Sequence, residues 1–185
     1  MNKFGSILVA GFGVLVSMAV QAGGSLDISL KNEMVRLEHE ATQVGTGAHI
    51  TIGGAYTETN EHMFSVGLNG VDTTSQSTDW LGGVGFKGYV WSTNDTHFSV
   101  AIGGFTRYTP DYMNGMGLEA HLYYSPDIIS FLGAESFQEM MFRVNYKVMP
   151  QARIFIGYHD LSGTVTGGVR EKIDSGYHIG FRMNY

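Results

Sequence analysis

The run Gly157-Tyr158-His159-Asp160-Leu161-Ser162 places a histidine, a carboxylate and a hydroxyl within four consecutive positions. These are the parts of a nucleophilic hydrolase, which needs a base within hydrogen-bond reach of the hydroxyl and a third group to orient that base. Glu119 and His121, two residues apart, offer a second pair able to move a proton or to contribute two metal ligands. Two ligands fall short of a metal centre, which takes three or four. The remaining ionisable residues of this half, Arg107, Glu139, Arg143, Lys147, Arg153, His159, His178 and Arg182, carry opposite charges that suit mutual pairing as well as catalysis. Which chemistry is available depends on the elements that hold them.

Period-two alternation dominates those elements. Leu26, Ile28 and Leu30 alternate with Ser25, Asp27, Ser29 and Lys31, and Phe64, Val66 and Leu68 with Ser65, Gly67 and Asn69. The same pattern carries Leu118, Ala120, Leu122 and Tyr124 against Glu119, His121 and Tyr123. It carries Met140, Phe142, Val144, Tyr146 and Val148 against Glu139, Met141, Arg143, Asn145 and Lys147. Such segments are strands with one apolar and one polar face. They predict strands over 24–31, 34–41, 47–57, 62–71, 80–92, 96–108, 114–125, 136–148, 152–161 and 172–185. On a continuous strand His159 and Ser162, three apart, point to opposite faces, whereas Glu119 and His121 share one.

Several of these segments reach ten to thirteen residues, the roughly 9–11 that cross a bilayer at a tilt and not the about 5–6 of soluble sheets. Aromatic residues crowd the segment ends: Tyr56, Trp80, Trp91, Tyr108, Tyr124, Tyr146, Tyr158 and Tyr177. Amphipathic rings favour the two water–lipid boundaries. Residues 1–22, with Lys3, the apolar run Ile7–Val16 and Val20-Gln21-Ala22, read as a secretory signal peptide cut after Ala22. Residues 23–185 then form one domain. The last segment places Tyr177, Ile179, Phe181, Met183 and Tyr185 on one face and stops on an aromatic, resembling the terminal signal read by bacterial barrel-insertion machinery. Together these features predict an all-β transmembrane antiparallel up-and-down β-barrel in the bacterial outer membrane. It has about ten strands, with eight as the alternative, because the long stretch Asp72–Asp79 falls on the side where short turns are expected.

Composition narrows the function classes. The 185 residues contain no cysteine, which excludes disulfides, thiolate metal sites and a cysteine nucleophile. The formal net charge of −6 argues against a nucleic-acid partner, and removing Lys3 with the leader makes the mature chain one unit more negative. Glycine, at 26 residues, suits the close strand approach of a small barrel, and Pro110, Pro126 and Pro150 all fall between strands. The chain holds no cofactor motif.

Polar faces turned inward put the ten residues Arg107, Glu119, His121, Glu139, Arg143, Lys147, Arg153, His159, His178 and Arg182 in the lumen, with Tyr89, Phe105, Tyr123 and Phe155. A lumen of 8 to 10 strands is about filled by its side chains, and enclosed charges must pair. Glu119 and Glu139 are then partners for Arg107, Arg143 or Arg153. The first expectation is a non-catalytic barrel of structural or interaction type with a filled interior and no metal. A narrow channel or small-ligand carrier is the alternative, and a lipid-directed hydrolase at the rim a third. The partners are outer-membrane lipid and lipopolysaccharide. The acids Glu58, Glu61, Asp72, Asp79, Asp95, Asp111, Asp127, Glu135, Asp160, Glu171 and Asp174, expected in turns or at strand ends, either sit in solvated loops, the reading favoured, or join the cation-bridged lipopolysaccharide layer.

The run His121-Leu122-Tyr123-Tyr124-Ser125-Pro126-Asp127-Ile128-Ile129-Ser130-Phe131 resembles the YfaZ family of bacterial outer-membrane proteins. The signature residues are Tyr123, Tyr124, Pro126, Asp127, Ser130 and Phe131, and the Val148-Met149-Pro150 turn before Ile156-Gly157-Tyr158 is similar to the family's next hairpin. The resemblance implies a small outer-membrane barrel and carries no catalytic residue. In this run Pro126 is expected to stop a strand, with Ile128, Ile129 and Phe131 packing a short outer loop onto the rim.

Overall fold

The structure, a computed structural model, describes residues 23–43, 47–59, 61–72, 79–93 and 95–185. The leader and most of the Asp72–Asp79 connection lie outside the described residues. Ten long strands form: β1 (Gly24–Lys31), β2 (Met34–Gln43), β3 (Ala48–Thr57), β4 (His62–Val71), β5 (Trp80–Ser92), β6 (Thr96–Tyr108), β7 (Met116–Ser125), β9 (Ala134–Met149), β10 (Ala152–Val165) and β11 (Val169–Asn184). A two-residue strand, β8 (Ser130–Phe131), lies between β7 and β9 in sequence. Each long strand pairs antiparallel with its neighbours, β5 pairs with β6, and β1 pairs with β11, so the sheet closes into a ten-stranded barrel. Closure leaves no open sheet edge, as a bilayer requires of a β-structure. Gly24 and Tyr185 bond one another at one end, the periplasmic end in the usual orientation of outer-membrane barrels.

The faces are inverted relative to a soluble protein. Leu68, Leu122 and Ile179 are 54%, 59% and 61% exposed, while Glu139, Arg143 and Lys87 are 0%, 1% and 2% exposed. The apolar face therefore meets hydrocarbon and the polar face is enclosed. Tyrosines and a tryptophan mark both boundaries: Trp80 lies against Tyr108 at one end (ring centroids 4.4 Å apart) and Tyr158 against Tyr177 at the other (5.4 Å). Trp91 does not join a girdle. It shares parity with Lys87 and Tyr89, is fully enclosed, and packs on His97 (4.3 Å) and Phe137 (5.9 Å) inside the lumen.

Two outer connections differ from expectation. The ten residues left between the predicted segments 152–161 and 172–185 are mostly strand, and the connection is a three-residue turn, Thr166–Gly168, because β10 and β11 stay paired as far as Val165 and Val169. Gly167 (φ 94°) and Gly168 (φ 72°) supply the left-handed backbone of the turn. In the 126–133 connection Pro126 precedes a single 3₁₀ turn, Asp127–Ile129. β8 then pairs with β6 (Phe98↔Phe131, Ser99↔Ser130). Phe131 stacks on Phe98 (5.8 Å) and Ile129 is half-buried, but Ile128 stays 85% exposed and does not pack onto the rim. Three residues per turn send successive 3₁₀ side chains to different sides, so adjacent isoleucines cannot both face the wall.

Close strand approach explains part of the glycine content. A Cβ on Gly103 would lie 2.0 Å from the Leu122 carbonyl oxygen and 2.6 Å from Tyr123 Cα, both backbone atoms that cannot swing away. Gly103→Val should therefore lower barrel stability by about 1–3 kcal/mol, the usual range for overpacking. The midpoint of urea unfolding in detergent micelles measures it.

Candidate functional site

The enclosed polar face forms two ion-pair clusters and a rim chain. In the first cluster Glu139 of β9, 0% exposed, accepts from Arg36 Nη2 of β2 (2.5 Å), from Lys87 Nζ of β5 (3.1 Å) and from the Tyr89 hydroxyl. Glu38, on the same face of β2 as Arg36, accepts from Arg36 (2.8 Å) and Lys87 (3.0 Å). Two carboxylates thus face two cations across the lumen, which is how an enclosed charge becomes tolerable. Above them sits an apolar plug inside the barrel: Met34, Met63, Trp91, Phe137, Leu161 and Ile173.

The second cluster runs along β1, β2, β3, β6, β7, β9 and β11. Asp27 accepts from Arg182 through Nε and Nη2 (both 2.6 Å) and from Arg143 Nη1 (2.7 Å). Arg182 also donates to Glu119 (2.8 and 3.0 Å). Glu119 in turn engages Arg107 Nε (3.2 Å) and His121 Nε2 (2.6 Å). Arg107 reaches Glu40 (2.5 and 3.1 Å), which is also bonded to His49 (2.5 Å). At the outer rim Lys31 donates to Asp174 (2.5 Å), Asp174 bonds His159, and His159 bonds His178 through the Nδ1 atoms (3.0 Å). Arg143 Nε donates to His178 Nε2 (3.3 Å), which joins the rim chain to the second cluster.

Of the ten residues expected inside, Arg107, Glu119, His121, Glu139, Arg143, His159, His178 and Arg182 lie on the lumenal face in these bonds. Lys147 and Arg153 also keep lumenal parity, but neither is ion-paired, and the enclosure expected for Lys147 needs correction. Lys147 is exposed at the periplasmic mouth and joins neither cluster, because β9 ends two residues later beside the turn. Arg153 is half-buried and donates to the neutral Asn145 Oδ1 (2.7 Å) and not to a carboxylate. Glu139 also takes different partners from those expected, Arg36 and Lys87 in place of Arg107, Arg143 or Arg153. Sequence reasoning did not single out Asp27, Arg36, Glu38, Glu40, His49 and Lys87. The signal was present on β2, where Arg36, Glu38 and Glu40 alternate with Val35 and Leu37.

The serine and histidine of the hydrolase reading do not meet. Ser162 donates to Asp160 Oδ1 (3.0 Å) and accepts from Arg170 Nη2 (2.8 Å), while His159 is bonded to Asp174 and His178 on the lumenal side. The strand pair does contain a register shift at Leu161/Ser162, but the extra residue, Ile173, belongs to β11 and leaves the alternation of β10 from His159 to Leu161 intact. Glu119 and His121 bond one another, and among the described residues no group of three His, Cys, Asp or Glu side chains is placed to hold a metal. On the outer wall an apolar groove of about 740 Å³, lined by Ile28, Leu30, Ile154, Ile179 and Phe181, faces the hydrocarbon.

A family model described as "YfaZ precursor" matches residues 1–185. No curated protein matches the sequence. Among solved structures, the outer membrane channel DcaP of Acinetobacter baumannii is 9% identical, with 86% of this chain and 54% of that chain covered and a TM-score of 0.46. The KdgM porin is 10% identical, with 88% and 99% covered and a TM-score of 0.49. OmpT of Vibrio cholerae is 15% identical, with 87% and 64% covered and a TM-score of 0.42. The chain thus spans about half the length of the first of these and nearly all of the second. Likenesses this distant concern strand layout and carry nothing about cargo.

Proposed function

This chain belongs to the YfaZ family, and from that premise we propose that it serves the outer membrane as a closed barrel of structural or interaction type, without catalysis. One observation carries the reading: the lumenal charges Asp27, Arg36, Glu38, Glu40, Lys87, Glu119, Glu139, Arg143 and Arg182 are all 8% exposed or less. A water-filled passage would wet such side chains, whereas here each charge is enclosed and ion-paired. Purified protein in planar bilayers is expected to give no steady unitary conductance, and a stable step of current would overturn the closed-lumen reading.

A narrow conduit or small-ligand carrier is the second reading, and one feature favours it. Among the described residues, Arg36 Nε and Nη1, Thr51 Oγ1, Ser65 Oγ, Asn69 Nδ2 and Ser99 Oγ are buried without a hydrogen-bond partner, all on the β2–β6 side of the lumen. Unsatisfied groups gathered on one wall are the places where water or a polar solute is most welcome. Cleavage after Ala22, recognition of the terminal Tyr177–Tyr185 strand by insertion machinery, and contact of the rim with lipopolysaccharide belong to the same proposal. They are supported by the leader's composition, by the lipid-facing parity of Tyr177, Ile179, Phe181 and Met183, and by the acids of the outer connections.

A further inference from the structure

At the end of the barrel where Gly24 meets Tyr185, three cations stand side by side on lumenal positions. Arg153 of β10 is the register partner of Lys147 on β9 and of Arg182 on β11. A register shift at Ala152/Arg153 sets Arg153 opposite Lys147. Like charges directly opposite one another destabilise a ladder, so the row calls for a counter-charge. Arg182 has one, since Asp27 and Glu119 both hold it. The other two do not. Arg153 donates to the neutral Asn145 Oδ1 (2.7 Å), and the Lys147 ammonium, in the exposed mouth, forms no ion pair among the described residues.

Among the described residues, the nearest lumenal carboxylates are already engaged, and none forms an ion pair with Arg153 or Lys147. Glu119 is the acid whose field reaches Arg153, and its two oxygens already serve Arg107, Arg182 and His121. Glu40 is taken by Arg107 and His49, and Asp27 by Arg143 and Arg182. Gly117 leaves room for the neighbouring Asn145 side chain, since a Cβ there would come within 2.9 Å of its Oδ1. With that oxygen occupied by Arg153, the amide nitrogen of Asn145 donates to no other group among the described residues.

We propose that this mouth is an anion site, in which Lys147, Arg153 and the Asn145 amide take a phosphate or carboxylate group. Guanidinium and ammonium donors around a tetrahedral or planar oxyanion form the charge-assisted bonds that suit such a ligand. In a chain with a net charge of −6, an uncompensated cationic pair at one mouth is a local inversion of the overall field. The source is either a soluble anion or the phosphate of a lipid headgroup at the adjacent leaflet. The site stands apart from the filled lumen, so a conducting barrel would leave it intact, and its failure would leave the closed lumen untouched.

The test is thermal unfolding of the purified barrel in detergent, in sodium phosphate and in sodium chloride at equal ionic strength. A ligand that binds the folded state raises its midpoint, so phosphate should raise the wild-type midpoint above that in chloride. Arg153→Gln and Lys147→Gln should each abolish that increment, and titration calorimetry with phosphate should show at least about tenfold weaker binding, the loss of roughly one charge-assisted bond. Both variants are expected to fold, because neither side chain belongs to an ion-paired cluster. Arg170→Gln, at the opposite rim, should respond as wild type does. Native mass spectrometry of barrel extracted from phosphatidylglycerol or phosphatidylcholine vesicles separates the sources. Phosphatidylglycerol retained and displaced by phosphate assigns a lipid headgroup, and a phosphate increment without retained lipid assigns a soluble anion. Equal midpoints in phosphate and chloride, or an increment that survives in both variants, would overturn the site.

Discussion

Glu139→Gln is expected to remove about 3–5 kcal/mol of barrel stability, the range found when one partner of a buried ion pair is deleted. The carboxylate is fully enclosed and holds two cations from strands on other parts of the wall, Arg36 of β2 and Lys87 of β5, together with the Tyr89 hydroxyl. An amide keeps the volume but not the charge, so Glu38 alone would be left to compensate both cations in a site with little access to water. The unfolding midpoint in urea should fall sharply, and the heat-modifiable band shift on electrophoresis should appear at lower temperature. The double variant Glu139→Gln with Lys87→Gln should recover part of the loss, since it restores the balance of one cation to one carboxylate. A double variant no more stable than the single one would mean that lost packing, and not unpaired charge, sets the effect. Asp127→Asn, in the outer connection, should change stability by less than about 0.5 kcal/mol, as surface substitutions usually do.

That prediction could not have been written from the sequence, although the position of Glu139 could. Alternation with Met140, Phe142 and Val144 puts Glu139 on the polar face, and the long apolar-and-polar segments with aromatic ends identify that face as the lumen. Strand assignments follow from the same local rule. The observed β4, β5 and β6 coincide with the alternating segments 62–71, 80–92 and 96–108. What alternation cannot supply is who meets whom across the lumen. Arg36 and Glu139 are 103 residues apart and lie on non-adjacent strands, so their contact depends on strand tilt and stagger around the whole barrel. Nearest-strand reasoning does succeed where partners are register neighbours, as for Arg107 and Glu119. It fails at strand ends, where Lys147 keeps lumenal parity but protrudes into the mouth. The two-residue β8 was also illegible, because it answers a local need: above Ile102, β6 extends beyond its pairing with β7, and Ser130 and Phe131 occupy that free edge.

Asp27→Asn should be about as damaging, again about 3–5 kcal/mol for stranding buried cations, but in a different place. The seam that closes the barrel, β1 against β11, has six residue pairs, Ser25↔Asn184 to Leu30↔Ile179, whereas β10 and β11 share fourteen. A short ladder leaves more of the closure to side chains, and three ion pairs cross or buttress it. Asp27 of β1 binds Arg182 of β11 through two nitrogens and also Arg143 of β9. Lys31 at the end of β1 reaches Asp174 and the Ser175 carbonyl of β11 (2.5 and 2.8 Å). Replacing Asp27 by the neutral amide leaves two guanidiniums, with Glu119 as the remaining carboxylate against Arg182 and none against Arg143. Hydrogen exchange resolves the consequence by position, because local opening follows local stability. Amides of β1 and β11 should exchange faster in Asp27→Asn, while those of β4 and β5 should hold. Glu139→Gln, whose contacts bridge β2, β5 and β9, should produce the complementary pattern, loosening those strands more than the seam. Uniform acceleration in both variants would show that the barrel opens only as a whole, and that the seam has no separate weakness for Asp27 to guard.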